Sequence, residues 1–397
     1  MNNVVSEPYY IEVAVNQRNH DKERICGDLF LSEKLKDEQR VISVLTDGMG
    51  HGVKANVLAT LTAKMAMNFS KDKKESAHIA EVILNTLPVC SERKISYATF
   101  TIVDIQIGGT THILEYGNPQ TIVVRDGKIL NLEWNTVVTT SEKVRSDELA
   151  MCEFVQEKDD RILMFSDGIT QSGLGSAKFP MGFGQESLEK FILDLVHNDK
   201  KISAQNLARK IVNLAHLNDN YKAKDDMSCA CIYLRTPRKL MLFTGPPIDR
   251  SKDAEVAELV KNFDGKKIVC GATTADLLSR EWLEPIVDEP TFYPGFPPTS
   301  KMQGVDLVTE GVITLNAVTE ILDNYKSSQT LANTPPDRII KMLLESDEIT
   351  IVMGTKLNKS NLDPTLPTQF ELRRTVVRRL IGLLETKFLK DVNVIYI

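Results

Sequence analysis

No two cysteines in this chain are spaced as C-x-x-C, and the six present follow no pattern, which fits a reducing cytoplasm. Long apolar runs are missing as well. None approaches the roughly 18 residues a membrane span needs, and the N-terminal Met1 to Pro8 is polar, without a signal segment. Basic residues are not in excess: 48 Lys and Arg against 54 Asp and Glu leave a formal charge of −6, which argues against a nucleic-acid-binding surface of any size. Internal repeats and low-complexity tracts are absent. With 397 residues, 42% of them hydrophobic and 26% charged, the chain can bury a large core and is expected to form two domains.

The most informative stretch is Asp47-Gly48-Met49-Gly50-His51-Gly52, which sets an acidic residue at the end of the apolar run Val41 to Thr46 and before a glycine-rich turn. Beyond it Leu58, Leu61 and Met65 recur at helical spacing, so the motif reads as strand, tight turn, helix. Glycines let backbone approach a bound ion or phosphate closely. Three further acidic stations keep it company: Gly27-Asp28, Ser166-Asp167-Gly168 after Ile162 to Phe165, and Asp225-Asp226-Met227-Ser228 before Cys229 to Leu234. Each borders a β-prone run. Four such stations describe carboxylates gathered along one edge of a sheet structure, where they would repel one another unless cations filled the space. Oxygen-only ligation suits Mg²⁺ or Mn²⁺ rather than zinc or copper. A lone Asp-Gly is an ordinary turn, and Asp126-Gly127 is read as a plain hairpin.

In that order the motifs GD, DGMGHG, SDGI and DDMS closely resemble the PPM (protein phosphatase 2C-like) metal-dependent serine/threonine phosphatases, in particular the bacterial branch typified by stage II sporulation protein E. Tyr116-Gly117-Asn118-Pro119 is similar to a turn that this branch carries between two central strands. The resemblance covers about residues 9 to 235. Met49, where many eukaryotic relatives have His, is typical of the bacterial branch.

The resemblance implies roles residue by residue. Asp47 would bridge two metals, with the Gly48 carbonyl completing one coordination sphere. Asp28 would orient a metal-bound water or contribute to a further metal, and Asp167 would hold the second metal. Asp225 matches the family's ligand best when DDMS is laid on the commoner DNMS; Asp226 is the alternative. The activity implied is hydrolysis of phosphoserine or phosphothreonine by in-line attack of a metal-bridging hydroxide, with two or more Mn²⁺ or Mg²⁺ ions as cofactors. The implied partner is a phosphorylated protein, of the kind of a small regulatory phosphoprotein in bacterial signalling; a homodimer is left open. No cysteine lies in an anion-cradling loop with an Arg, which disfavours a cysteine-nucleophile phosphatase. Cys26 reads as a buried small hydrophobe against a redox switch. Arg24 is a phosphate contact or a solvated surface residue, and His51 meets substrate or water or makes a purely structural hydrogen bond.

The fold expected for 1–235 is α+β, an α-β-β-α sandwich of two mainly antiparallel sheets flanked by helix pairs. The strand-like runs are Tyr9 to Val15, Val41 to Thr46, Tyr97 to Ile107, Thr111 to Tyr116, Thr121 to Leu130 and Arg161 to Phe165. The helix-like ones are Ala55 to Phe69, Ser76 to Leu87, Glu186 to His197 and Ser203 to His216. Gly173 to Gly184 is a flap or a plain surface loop.

After a linker at Arg235 to Lys239, residues 240–397 alternate strand and helix, which predicts a smaller, mainly parallel α/β domain that regulates or binds a ligand or partner. Glu284 to Pro298 holds too much proline for regular structure. Gly271-Ala272-Thr273-Thr274 can present amides and hydroxyls to an anion, though turn geometry and capping account for it more simply. Gly245-Pro246-Pro247 ends another strand. Arg373, Arg374, Arg378 and Arg379 read as a solvated helix face rather than a docking site. Two readings compete with the phosphoprotein phosphatase: a metal-dependent hydrolase of a small phosphomonoester or nucleotide, and a non-catalytic binding protein on the same fold.

Overall fold

The computed structural model describes residues 9–72, 82, 98–139, 147–291, 293–325, 331–355, 369–388 and 390–397. The chain divides into two compact units, Met1–Thr236 and Pro237–Ile397.

Among the described residues unit 1 runs β1 (Tyr10–Arg18), β2 (Asp28–Leu35), β3 (Arg40–Gly48), α1 (Gly52–Lys71), β4 (Ala98–Gln106), β5 (Thr110–Tyr116), β6 (Ile122–Arg125), β7 (Lys128–Ile129), β8 (Asn135–Thr139), β9 (Asp147–Val155), β10 (Arg161–Phe165), α2 (Asp167–Thr170), α3 (Gln185–Asn198), α4 (Ala204–Asn218) and β11 (Met227–Arg235). The strands form two antiparallel sheets, ordered β1-β11-β10-β6-β7 and β2-β3-β4-β5-β9-β8. Alternation along the strands assigns the layers. Val41 and Leu45 of β3 meet Ile162, Met164, Ala230 and Ile232 of the other sheet, while Ile42 and Val44 face Ala63, Ala66 and Met67 of α1. On the opposite side Leu163, Phe165, Cys229 and Cys231 pack against Leu188, Ile192, Leu207 and Ile211 of α3 and α4. Strands covered on both faces read as unbroken apolar runs, which is why β3 and β10 stand out in the sequence.

This is the expected α-β-β-α sandwich. The second helix foreseen beside α1, at 76–87, lies outside the described residues apart from Val82. The plain hairpin read at Asp126-Gly127, within the run Thr121 to Leu130, is β6–β7, with Val124 opposite Ile129 and both turn residues at positive φ, Asp126 at 50° and Gly127 at 71°, a primed turn matching strand twist. Strands β2, β8 and β9 are additions to the sequence expectation. No described helix is long and apolar enough to cross a membrane.

Buried Glu115 in β5 accepts a hydrogen bond from the Thr121 amide at 2.7 Å, and burial pushes its carboxyl up to about 7. The folded state therefore binds this proton more tightly than the unfolded chain. The associated stability is complete below the ordinary glutamate pKa and is lost as pH rises through about 7. In urea titrations the Glu115→Gln protein is expected to outlast wild type at pH 8 by roughly 1 to 3 kcal/mol, the gap closing toward pH 5. Equal pH slopes in the two proteins would refute the assignment.

Unit 2 runs β12 (Lys239–Thr244), α5 (Asp253–Lys261), β13 (Lys266–Cys270), α6 (Ala272–Trp282), β14 (Val287–Asp288), β15 (Ser300–Met302), β16 (Val305–Thr309), α7 (Val312–Asp323), α8 (Pro335–Glu345), β17 (Glu348–Met353), α9 (Gln369–Thr386) and β18 (Asp391–Tyr396). Its sheet is ordered β14-β15-β16-β13-β12-β17-β18, with β16-β13-β12-β17-β18 parallel and β14-β15-β16 an antiparallel margin. Leu240, Leu242, Ile268 and Ile351 face α7, α8 and α9; Met241, Phe243 and Val269 face α5 and α6.

Two expectations need correction here. The proline-rich tract is not wholly irregular, since Val287 and Asp288 pair with Lys301 and Ser300; Pro285 stands before these residues and the other prolines from Pro290 onward, so no proline takes the place of a pairing amide. The four arginines of α9 are not one solvated face. Arg373 is 9% exposed, because its position shares the helix side of Val377 and Leu380, which is turned into the core. Arg379 pairs with Asp323 on α7 at 2.9 Å.

Candidate functional site

Antiparallel pairing of β2 and β3 sets Asp28 directly opposite Asp47. Asp167 opens α2 immediately after β10, and Asp225 and Asp226 precede β11, the neighbour of β10. The ends of strands from both sheets thus bring the acidic stations to one place. The Asp47 carboxyl is within hydrogen-bonding contact of the carboxyls of both Asp28 and Asp167. Asp225 lies near enough to Asp47 and Asp167 to repel their charges, and Asp226 acts likewise on Asp28.

Glycine makes the crowding possible. A Cβ on Gly48 would lie 2.1 Å from the Ala55 carbonyl oxygen, one on Gly168 2.2 Å from that of Asp226, and one on Gly27 2.6 Å from Asp226 Oδ2. The Met49–His51 turn brings α1 back onto the strand end; Gly50 within it and Gly52, the first residue of α1, take positive φ, 91° and 72°.

Residues that sequence reasoning did not single out hold the carboxylates. Ser228 Oγ donates to Asp28 Oδ2 at 2.6 Å and accepts from Gln17 Nε2 at 3.0 Å. Ser166 Oγ accepts from the Ser228 amide at 2.9 Å. Gln171 Nε2 donates to Asp167 Oδ2 at 2.9 Å, one helical turn along. The His20 amide donates to Asp226 Oδ1 at 2.9 Å, and the Asp226 amide to Asp225 Oδ1 at 2.9 Å. Asn118, from the Tyr116–Pro119 turn, donates to Thr101 Oγ1 at 3.1 Å and accepts from Thr99 Oγ1 at 2.5 Å; Thr99 is the cross-strand neighbour of Asp47. Both serines stand inside the quoted motifs, which was the available signal.

Electrostatically the cluster is under stress. Burial, then repulsion from Asp28, Asp167 and Asp225, drives the Asp47 carboxyl well above the usual range. Burial raises Asp28 against the lowering hydrogen bonds of Ser228 and Ser166, raises Asp167, and with Asp167 nearby lifts Asp225 to about 6. Carboxylates in such a place need either protons or cations. Asp28 Oδ1, Asp167 Oδ1 and Asp226 Oδ2 are moreover buried without a hydrogen-bond partner. Three bare oxygens among mutually repelling acids fit hard divalent cations. Among the described residues no three or more His, Cys, Asp or Glu side chains are already arranged to hold a metal ion.

The other candidates sit on loops and at the start of α1. His51 caps α1, exposed, with Nδ1 2.8 Å from Glu23 Oε1 and its ring stacked on His20 at 4.3 Å. Arg24 is exposed. Burial and the nearby Asp28 and Asp226 push the Cys26 thiol up, away from a reactive thiolate. The Gly173–Gly184 segment is tied down by the Gly173 amide on Asp219 Oδ1 at 2.7 Å and by Lys224 Nζ on the Leu174 carbonyl at 2.7 Å.

Residues 37–235 match the profile of the family described as Stage II sporulation protein E (SpoIIE). The chain belongs to the SpoIIE family. No curated protein matches it. Among solved structures, the SpoIIE phosphatase domain from Bacillus subtilis is 14% identical, covering 58% of this chain and 96% of its own at a TM-score of 0.44. RsbX in complex with magnesium is 18% identical (56% and 95%, TM-score 0.40). PppA, a regulatory component of T6SS in Pseudomonas aeruginosa, is 13% identical (57% and 99%, TM-score 0.38). The SpoIIE match spans all the acidic stations except Asp28, which β-pairing alone delivers to Asp47.

Proposed function

We propose that unit 1 is a metal-dependent protein serine/threonine phosphatase of cytoplasmic bacterial signalling, acting on a phosphorylated regulatory protein, and that unit 2 regulates it or binds a ligand or partner. The observation that carries the reading is the set of unpartnered buried oxygens on Asp28, Asp167 and Asp226 around the protonation-prone Asp47. Asp47, the Gly48 carbonyl, Asp167 and Asp225 would hold Mn²⁺ or Mg²⁺, with Asp28 and Asp226 beside them. When bound, such ions supply charge neutralisation at the phosphoryl group and lower the pKa of an attacking water toward about 7.

The protein's own part is positional. Ser228 and Ser166 fix the Asp28 carboxylate, leaving Oδ1 to accept a proton or orient water. Gln171 occupies Asp167 Oδ2 and so turns Oδ1 inward. Asn118 braces the strands behind Asp47. Exposed His51, at the start of α1, and its half-buried partner Glu23 stand where a phosphoprotein surface would arrive.

Hydrolysis of p-nitrophenyl phosphate is expected with Mn²⁺ and not with EDTA; absence of metal-dependent turnover would favour a binding protein. Phosphoserine and phosphothreonine peptides are expected to outcompete nucleotides as substrates. The reverse preference would move the assignment to a small-molecule phosphomonoesterase.

A further inference from the structure

The parallel strands of unit 2, counted along the chain, lie in the order third, second, first, fourth, fifth: β16-β13-β12-β17-β18. Succession reverses between β12 and β17, and in open α/β sheets the crevice beyond the carboxyl ends of the strands at such a reversal is where ligands bind. Two glycine turns meet there. A Cβ on Gly354 would fall 2.1 Å from the Gly245 carbonyl oxygen, and Gly245 itself has φ +82°. The Gly245 amide donates to Thr274 Oγ1 at 2.9 Å, so the Thr274 hydroxyl is committed to holding the crevice wall.

Into this place α9 sends Arg373. The space a Cβ on Gly245 would take is 2.2 Å from Arg373 Nη1, which donates to the Gly354 carbonyl at 3.3 Å. Arg373 is 9% exposed, yet its Nε has no partner. No described carboxylate faces it, and burial alone depresses its pKa. The Thr244 hydroxyl, at the last residue of β12 and on the same side of the sheet as α9, is also buried and unpartnered. An unpaired buried guanidinium is costly, and a planar fork of donors suits a phosphate oxygen pair. On the adjoining side of α9 a cavity of about 1030 Å³ opens against the first turns of α7, lined by Arg374, Arg378, Val312 and Leu372. That is room of small-molecule size with two more cations and the positive end of a helix.

We propose that the crevice between β12 and β17 binds the phosphate group of a small phosphorylated metabolite, with Arg373 and Thr244 as its anchors. The site is separate from the carboxylate cluster of unit 1 and needs no metal.

Calorimetric titration of the full chain in EDTA, which silences metal-dependent binding in unit 1, tests it with inorganic phosphate, AMP and glucose 6-phosphate. At least one is expected to bind while adenosine and glucose do not; AMP or the sugar phosphate as the tighter ligand tells nucleotide from sugar. Arg373→Gln is expected to weaken binding at least about tenfold, Arg373→Lys less. Thr244→Val preserves shape and removes only an unsatisfied hydroxyl, so it should fold as well as wild type and still bind roughly three- to tenfold more weakly. Amide-exchange protection is expected at Gly245 and Gly354-Thr355. The proposal is overturned if none of the three probes binds at up to about 10 mM, a Kd at the weak limit of specific recognition, if Thr244→Val and the folded Arg373 variant bind as wild type does, or if protection is confined to unit 1.

Discussion

Replacing Asp47 by Asn is expected to abolish metal-dependent turnover, by about a thousandfold or more, and at the same time to make the metal-free protein harder to unfold. Both effects come from one arrangement. The Asp47 carboxyl is buried against Asp28, Asp167 and Asp225, so without cations its charge opposes folding; an amide of the same shape removes the repulsion and can donate to its neighbours. A gain of about 1 to 3 kcal/mol in EDTA follows from removing a charge from such surroundings. Adding Mn²⁺ should raise the melting temperature of wild type and leave Asp47→Asn nearly unmoved. Thermal melts with EDTA and with Mn²⁺, run beside the phosphatase assay, read all three quantities. Full activity in the variant, or a metal-free stability well below wild type, would contradict the account. Strain of this kind at a working site is what a stability–activity trade-off predicts.

The second large effect is steric. Gly48→Ala places a methyl group 2.1 Å from the Ala55 carbonyl oxygen and 2.7 Å from its carbon, both backbone atoms of α1. No side-chain rotation relieves that contact, so the helix must back away from the strand end. A loss of about 3 kcal/mol or more is expected, together with loss of Mn²⁺-induced stabilisation. Gly50→Ala is the control: its φ is +91° and nothing lies within 4 Å of the added carbon, so only the backbone preference, about 1 kcal/mol, is at stake. Chemical denaturation of the two variants separates crowding from conformation. Were Gly48→Ala to match Gly50→Ala, close approach of α1 would not be what positions Asp47.

The sequence made the acidic stations visible for a physical reason. β3 and β10 are buried on both faces, so they appear as solid apolar runs and their ends, Asp47 and Ser166-Asp167, are sharply marked. β2 is different: Glu33 and Lys34 lie exposed within it and break the alternation, so the β-prone run that Asp28 borders is marked far more weakly than β3 or β10. Its meeting with Asp47 depends on register, a long-range property that no window of residues contains. Ser228 was hidden in another way, since a serine in a β-prone run is unremarkable until its hydroxyl is seen on Asp28. Arg373 was misread because its neighbours Arg374, Arg378 and Arg379 share its composition but not its side of the helix. Only the packing of Val377 and Leu380 into the core says which arginine goes inside.

The pairing of Tyr10–Arg18 with Met227–Arg235 has a temporal side. Ser228 stands 200 positions beyond the Asp28 it steadies, so a ribosome needs roughly 10 to 40 s after releasing the first partner to deliver the second. Until then the opening strand waits without a neighbour, and the buried acids lack the hydroxyl that fixes them. On the proposed reading a nascent or prematurely terminated polypeptide is inert toward phosphoproteins, and hydrolytic competence arrives all at once, near the end of the first unit's synthesis.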